Sequence, residues 1–395
     1  MSICARAKVV PNRARECNSS VGKNAACPAT IDHMMVSNAC GTPRSPKRMR
    51  PIDLAMRCCR GGRSIPVLLP LSALGLATAI SAQATVATAT TLHFTPLLPT
   101  PITAGVPLPG RIEARLSAQG SVLVVLDRVK GRLDAMRLPG SGHVTPIAVP
   151  RGADWQSGVE DAVLLGDDTL LTLGDDRKEV TLYKLEGSQP SPLHRFRVAV
   201  AGGGLCRLHN AIYVLGASSR GIIHEYSLEG QWIRSFGDAL MRAGPVLASN
   251  VTRGVVLCDD ATGLIVIAPF TLNDIRAYTS TGELRWRAQL TDFHQRLIEL
   301  SGDDGYRVTL PSSGASEVSS IFQLSDTLIG ISIQLAVTRD SLAQPATRLI
   351  ELATGRERGQ INGLPMLMAW QEPSHLAVTA TRAGLTVGLA SIGDR

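Results

Sequence analysis

Three copies of the motif Tyr-x-x-x-Gly occur in the chain, each with an aliphatic residue three positions before the tyrosine. The copies are Val180, Tyr183 and Gly187; Ile223, Tyr226 and Gly230; and Ile275, Tyr278 and Gly282, and the sets Leu133, Met136, Gly140 and (one residue shorter) Leu349, Leu352, Gly355 fit the same frame. A short apolar run follows each glycine. Because glycine readily adopts the positive φ of tight turns, the motif predicts a β-hairpin.

A further apolar strand lies about 15 residues before each of these motifs. Six such strands begin at intervals of 48, 42, 52, 64 and 47 residues: Ser121–Leu126, Thr169–Leu173, Ala211–Leu215, Gly263–Ala268, Thr327–Ile333 and Ser374–Ala380. A repeat of about 40–50 residues with four short strands has the size of one propeller blade. No long segment has a helical apolar period. The predicted fold class is therefore all-β, a six-bladed β-propeller.

One repeat carries a family resemblance. The segment Gly204–Gly237 reads GLCRLHNAIYVLGASSRGIIHEYSLEGQWIRSFG. It resembles a repeat of the NHL type, found in NHL-like and TolB-like six-bladed β-propellers, in its second strand A-I-Y-V, its I-x-x-Y third strand and its I-R-x-F-G ending. The aspartate usual after the second strand is present as Asp127 in the first repeat, whereas Gly216 stands there in this one. The resemblance covers most of residues 111–390 and implies a platform that binds proteins, RNA or small ligands.

The last repeat has only three predicted strands, so it needs a fourth from elsewhere. The run Thr90–Pro96 is apolar, β-prone and otherwise unpaired, and we expect it to complete the sixth blade and close the ring. The Pro-rich stretch Leu97–Pro109 then links it to the first blade. The interval of 64 residues indicates an insertion near Thr291–Gly314, which is a candidate ligand lid.

The charge of the chain divides sharply after residue 84. Residues 1–84 contain 12 Lys+Arg against 3 Asp+Glu, whereas residues 85–395 contain 28 against 30, and all 15 aromatic residues lie in the second part. Arg57, Arg60 and Arg63 precede the uncharged stretch Ser64–Ile80, and Ala82-Gln83-Ala84 follows it. Basic, apolar and small-x-small segments in this order predict a signal peptide cleaved after Ala84.

These boundaries predict three regions. Residues 1–55 are a disordered extension or translated upstream sequence, with the true start at Met1, Met49 or Met56; residues 56–84 are the signal peptide; residues 85–395 are the propeller. The expected location is periplasmic or extracellular. The alternative is a membrane anchor formed by residues 64–80, although that stretch is short and contains two prolines.

Few residues of the mature part suggest chemistry. Cys206 and Cys258 lie in apolar, strand-like runs, which predicts buried thiols rather than a disulfide. Its histidines are scattered, and no G-x-S-x-G, H-E-x-x-H or phosphate-binding glycine motif occurs. Aspartate pairs at 167/168, 175/176, 259/260 and 303/304 could bind calcium, but their turn contexts favour caps of their own backbone. No cofactor is therefore predicted, and calcium stays an open alternative.

Arginines recur in the loops between second and third strands. They are Arg128, Arg177, Arg220, Arg339 and Arg382, and the fourth repeat has Asp274 and Arg276 at the equivalent place. These loops share one face of a propeller, where guanidinium groups suit an anionic or carboxylate-bearing partner. The candidate ligand-binding residues are Asp127, Arg128, Asp175, Arg177, Arg220, Asp274, Arg339 and Arg382. Neighbouring aspartates could instead neutralise the arginines.

The predicted function is an exported, non-catalytic binding module for a protein, peptide or glycan at this loop face. The alternative is a propeller enzyme, a lactonase, hydrolase or lyase, with a metal in its central channel. Nucleic acid is disfavoured because residues 85–395 carry a net charge of −2. We expect a monomer that meets a membrane only through residues 64–80, if these stay uncleaved; an anchored structural protein is a third possibility.

Overall fold

A computed structural model describes residues 88–97, 102, 112–128, 132–138, 145–147, 158–174, 176–186, 190–301, 305–309, 314–337, 344–372, 374–381 and 383–394. The predicted extension, the predicted signal peptide and nearly all of the predicted Leu97–Pro109 linker lie outside these residues. Within them, no helix is long and apolar enough to cross a membrane.

Each blade is an antiparallel sheet whose strands follow one another from the centre outward. Blade 1 contains β2 (Ile112–Leu116), β3 (Val122–Asp127), β4 (Arg132–Arg137) and β5 (Thr145–Ile147). Blade 2 contains β6 (Val159–Leu164), β7 (Thr169–Gly174), β8 (Glu179–Lys184) and β9 (Ser191–Arg197). Blade 3 contains β10 (Gly204–Leu208), β11 (Ala211–Ser218), β12 (Gly221–Ser227) and β13 (Trp232–Phe236).

The second half of the ring follows the same order. Blade 4 contains β14 (Gly254–Asp259), β15 (Leu264–Pro269), β16 (Ile275–Thr279) and β17 (Leu284–Ala288). Blade 5 contains β20 (Ala315–Gln323), β21 (Leu328–Val337), β22 (Gln344–Glu351) and β23 (Glu357–Asn362). Blade 6 contains β24 (Met366–Gln371), β25 (Leu376–Thr381) and β26 (Gly384–Asp394). The six-bladed β-propeller is thereby confirmed, with all six predicted second strands in place.

The fourth strand of blade 6 comes from the N-terminal side, as predicted. β1 (Thr88–Pro96) pairs antiparallel with β26, from Thr90 opposite Asp394 to Pro96 opposite Gly388. Thr88 and Ala89 also pair in parallel with Gly359 and Gln360 of β23. One strand therefore completes blade 6 and joins it to blade 5 in a continuous eight-stranded sheet.

The hydrophobic core is divided among the interfaces between blades. Six apolar clusters each contain side chains of two consecutive blades, and the cluster between blades 6 and 1 closes the ring. A four-stranded sheet has two faces to bury, and stacking in a circle covers both of them.

The Tyr-x-x-x-Gly motif is an inter-blade contact. Gly230 has φ +81° in the turn after β12, and a side chain there would overlap the ring of Phe196 on the preceding blade. The Phe196 ring also lies 6.1 Å from that of Tyr226, whose hydroxyl accepts a hydrogen bond from Ala199 N at 3.1 Å. Gly282 against Phe236 and Gly355 against Trp286 repeat the arrangement at the next two interfaces. The motif is therefore required by stacking as well as by the turn.

Two segments depart from the blade pattern. The predicted insertion contains a hairpin of β18 (Leu297–Ser301) and β19 (Gly305–Thr309). A helix α1 (Pro245–Val251), which was not predicted from the sequence, lies in the crossing from blade 3 to blade 4. Leu247 and Val251 of α1 pack with Leu272 and with Ile298 of the hairpin. Both segments are inter-blade crossings, so they cover the face from which the second-to-third strand loops emerge, here called the loop face.

The prediction of two free thiols is wrong. Cys206 and Cys258 form a disulfide with a Cα–Cα distance of 5.7 Å. They lie in β10 and β14, the inner strands of blades 3 and 4. Apolar context indicated burial correctly, but positions 52 residues apart become neighbours only because equivalent strands of consecutive blades lie side by side.

Candidate functional site

A funnel of about 500 Å³ occupies the central channel. Its lining comes from all six inner strands and from the turns that follow them, between first and second strands. The funnel therefore opens on the side opposite the loop face, here called the funnel face. This volume is within the range of small-ligand sites.

The mouth of the funnel is more acidic than basic. Asp260, Asp326 and Glu372 line it and are exposed, and Arg207 is the cation beside them. Asp260 accepts a hydrogen bond from His209 N at 2.7 Å, and Arg207 Nε donates to the carbonyl of His209 at 2.5 Å. The mouth thus has a net negative charge, which favours neutral or cationic molecules over anions.

The wall combines apolar surface with hydrogen-bonding groups. Phe322, Trp370 and the Cys206–Cys258 disulfide contribute apolar surface. Trp370 Nε1 donates to Glu372 at 2.8 Å, while Gln371 Nε2 donates to the carbonyl of Ala118 in blade 1 at 2.8 Å. These bonds fix side chains of blade 6 at the mouth, so this part of the wall is preorganised.

A buried group of charges lies at the start of β2 and β6, toward the loop face. Glu113 accepts hydrogen bonds from Arg115 Nε at 2.8 Å and from Arg128 Nη2 at 2.7 Å. Asp161 is fully buried; its Oδ1 lies 3.2 Å from Arg115 and 3.4 Å from Arg128, and its Oδ2 accepts from Leu205 N of blade 3 at 2.7 Å. Two carboxylates and two guanidinium groups thereby connect three blades.

The two carboxyl groups have opposite pKa shifts. Burial raises the pKa of Asp161 to about 6, with Arg115 opposing the effect and Glu113 adding to it. Burial acts in the same direction on Glu113, but Arg115 and Arg128 outweigh it and hold the pKa of Glu113 below its ordinary value. Asp161 is therefore the member of the pair that takes up a proton near neutral pH.

Bridges across the ring close this end of the channel. Arg128 donates to the carbonyl of Glu160 in blade 2 at 2.7 Å, and its guanidinium carbon lies 4.8 Å from the ring centre of Phe270 in blade 4. The Glu160 carboxylate binds Arg253, just before blade 4, through two bonds of 2.7 and 2.9 Å. The funnel consequently ends blind beneath the loop face.

Three of the candidate residues on the loop face are bound to other groups of the protein. Arg128 is buried among the charges just described. Arg177 donates to the carbonyls of Ala201, Gly202 and Ser249, which holds α1 to blade 2. Asp274 is buried between Arg276 and Arg287, at 2.6 Å from each.

Arg220 is exposed, with its guanidinium 5.0 Å from the ring centre of Trp232. Asp127 is half-buried at the end of β3 and has interactions of its own. Asp175, Arg339 and Arg382 lie outside the described residues. The structure thus gathers Arg128 and Arg177 near Glu160, and a ligand-binding role for the loop residues stays a prediction.

The candidate residues predicted from the sequence do not include Glu113, Arg115, Glu160, Asp161 and Arg253. A signal for the first four existed: β2 and β6 read IEARL and VEDAVL, where charges interrupt otherwise apolar inner strands. Such charges in a buried strand need partners. Which partners they find depends on the packing of separate blades, which the strand pattern alone does not specify.

Asp176 and Asp259 cap turns, as predicted for the aspartate pairs. Asp176 accepts from Lys178 N and Glu179 N at 2.8 and 2.9 Å, and Asp259 accepts from Thr262 N at 2.9 Å. Asp168 instead binds Lys184 Nζ at 2.6 Å, and Asp260 accepts from His209 N of blade 3. Asp303 and Asp304 lie outside the described residues. No three acidic, histidine or cysteine side chains group as metal ligands in the part of the chain that is described.

Comparisons with known proteins identify structural neighbours only. No protein-family model matches the chain, and no curated protein matches it. Similar solved structures include a DUF4221 family member from Bacteroides vulgatus, with 5% identity, 77% of this chain and 99% of that chain covered, and a TM-score of 0.48. BamB from Moraxella catarrhalis has 14% identity, coverage of 77% and 99%, and a TM-score of 0.38. A streptogramin B lyase has 10% identity, coverage of 76% and 98%, and a TM-score of 0.42.

Proposed function

We propose that the protein is an exported, non-catalytic binding module that receives a peptide or glycan segment of its partner in the funnel. The carrying observation is the blind funnel of about 500 Å³, open at one face and closed by ion pairs at the other. Its mixed apolar and polar lining is typical of binding sites. The proposal moves the candidate contact from the loop face to the funnel face.

The charges at the mouth limit the kinds of ligand that the funnel can bind. Asp260, Asp326 and Glu372 outnumber Arg207 there. A segment with an amino or guanidinium group would gain attraction at the mouth and then place apolar atoms against Trp370 and Phe322. We therefore expect preference for neutral or basic peptides and for uncharged glycans.

The enzyme alternative with a channel metal finds less support in these residues. The acidic groups at the closed end of the channel include Glu113, Asp161 and Glu160. Guanidinium groups of Arg115, Arg128 and Arg253 bind their oxygens. A guanidinium in contact with a carboxylate takes the place that a cation would need. Calcium titration followed by thermal unfolding discriminates the two readings: a large upward shift in melting temperature would favour the enzyme.

Selection from a displayed random-peptide library tests the binding proposal. Peptides selected on the wild-type protein should lose binding to Asp326→Trp, which places a large side chain at the mouth. Glu283→Trp is the matched control, because Glu283 is exposed in the turn between β16 and β17, away from the funnel. Selected peptides that bind both variants as well as wild type, but lose binding to Arg220→Ala, would move the site to the loop face.

A further inference from the structure

The disulfide lies where the core between blades 3 and 4 meets the wall of the funnel. Cys206 and Cys258 both contribute to the lining, and the space beside them is continuous with the exposed mouth. Cys206 is 3% exposed, whereas Cys258 is only half-buried. A small molecule that enters the funnel would therefore meet the sulfur of Cys258 first.

We propose that Cys206–Cys258 is a thiol-exchange site which low-molecular-weight thiols reach through the funnel. A thiolate attacks Sγ of Cys258, the bond between the two cysteine sulfurs breaks, and Sγ of Cys206 leaves as a thiolate. The attacking thiol has lost its proton to solvent. The product is a mixed disulfide on Cys258 whose substituent occupies the funnel.

Two reactions can then follow. The Cys206 thiolate attacks Sγ of Cys258, which restores the protein disulfide and releases the small thiol. Alternatively, a second equivalent of thiol attacks the outer sulfur of the mixed disulfide, releasing the oxidised small disulfide and leaving Cys206 and Cys258 reduced. The small thiol is the reductant in this second route, and atoms and electrons balance in both.

The blades do not depend on this bond alone. Tyr213, Leu215, Val256, Ile265 and Tyr278 are among the buried side chains that pack between blades 3 and 4. Gly254 N also donates to the carbonyl of Gly203 at 3.2 Å. Exchange can therefore proceed in a ring that stays closed, which separates this site from disulfides that react only after unfolding.

Among neutral thiols, size decides which reagent reaches the sulfurs. Arg207 follows Cys206, while Asp259 and Asp260 follow Cys258, so charges of both signs flank the sulfurs. The access route is the funnel mouth, whose width limits what enters. The inference does not depend on the proposed ligand, because it requires only that the funnel be open.

The test compares two thiols of the same chemistry and different size on the oxidised full-length protein. 2-Mercaptoethanol and the same thiol on a long polyethylene-glycol chain are incubated with it, free thiols are alkylated, and peptide mapping assigns the products to Cys206 and Cys258. We expect 2-mercaptoethanol to react roughly tenfold faster or more, with the adduct on Cys258. Reaction after unfolding would treat both thiols alike, so equal rates, or no reaction of the folded protein with either, would overturn the proposal.

Matched variants locate the route and the sulfur attacked. Asp326→Trp should slow the reaction severalfold, whereas Glu283→Trp should leave it unchanged. In Cys206→Ser the remaining Cys258 thiol should react with the disulfide of 2-mercaptoethanol faster than the remaining Cys206 thiol does in Cys258→Ser. Unchanged exchange in Asp326→Trp, or the reverse order of the two single thiols, would contradict access through the mouth to Cys258.

Discussion

Single glycines decide how closely the blades stack. Gly230, Gly282 and Gly355 each combine a positive φ with a position against an aromatic ring of the preceding blade. Gly363 has a similar φ of +85° but nothing within 4 Å of where a side chain would begin. The chain thus contains an internal comparison between backbone strain alone and strain combined with overlap.

Gly230→Ala should be much more destabilising than Gly363→Ala. A left-handed conformation costs an alanine about 1–2 kcal/mol, and this is the whole expected loss at position 363. At position 230 the methyl group also displaces Phe196 or opens the interface, which adds roughly 1–3 kcal/mol. Urea unfolding of both variants measures the difference. Equal losses would mean that the glycine serves the turn only.

The buried charges make stability depend on pH. The pKa of Asp161 is about 6 in the folded protein and near 4 in an unfolded chain, so the folded state binds the extra proton between these values. The contribution of Asp161 to the free energy of unfolding is therefore favourable below about pH 4 and declines by roughly 2–3 kcal/mol as the pH rises to 6 and above.

Asp161→Asn should remove that decline. Urea unfolding of the wild-type protein and of the variant between pH 4 and 7 gives the two curves. The difference in slope is the informative quantity, because the substitution also alters the bonds to Arg115 and Arg128. Parallel curves over this window would show that Asp161 is not the group that titrates.

At the scale of elements, β1 stabilises the ring both by side-chain packing and by pairing with two other strands. Leu92 and Phe94 pack against the cluster between blades 5 and 6, and the strand pairs with both β26 and β23. Without it, two strand edges would be left without partners. Such open edges are sites of aggregation.

A chain beginning at Leu97 should be less stable than one beginning at Thr88. Loss of the partly buried Leu92 and Phe94 side chains removes about 2–4 kcal/mol of apolar burial, in addition to the strand pairing. Thermal unfolding and size-exclusion chromatography should show a lower transition and association of the shorter chain. Identical behaviour of the two chains would mean that ring closure does not need β1.

The blades and their closing strand were predictable, whereas helix α1 and the contacts between separate blades were not. The spacing of the second strands and the unpaired run Thr90–Pro96 predict the blades and their closure. Helix α1 has only seven residues and no counterpart in the other blades, so no repetition in the sequence indicated it. The disulfide and the bridges from Arg128 and Arg253 join separate blades. They depend on the radial arrangement of the ring, which local patterns do not contain.

At the scale of the whole molecule, the propeller has two different faces. Helix α1, the β18–β19 hairpin and the charged bridges cover one, and the funnel opens on the other. The arginine pattern predicted a binding site on the loop face because loop positions can be read from the sequence. A funnel is the space left among six strands, so it becomes evident only once the ring is assembled.

Export predicts a mature chain that begins at Thr85. Expression with the complete leader in a bacterial host, followed by N-terminal sequencing of the protein outside the cytoplasm, should find cleavage after Ala84. This leaves Thr85, Val86 and Ala87 ahead of β1. A protein that retains Ser64–Ile80 and sediments with membranes would support the anchored alternative.

The pairing of β1 with β26 also determines when the fold can be completed during synthesis. Thr90 faces Asp394, roughly 300 residues later in the chain. A polypeptide that is synthesised or translocated from its N-terminus delivers β1 first and its main partner last. Blades 1–5 can assemble locally as they emerge, but the ring cannot close until β26, the final strand, is available. Throughout that interval β1 lacks β26, the strand with which it forms most of its pairs. Whatever keeps it from aggregating, whether a chaperone or the speed of synthesis, must act for as long as it takes to complete the chain.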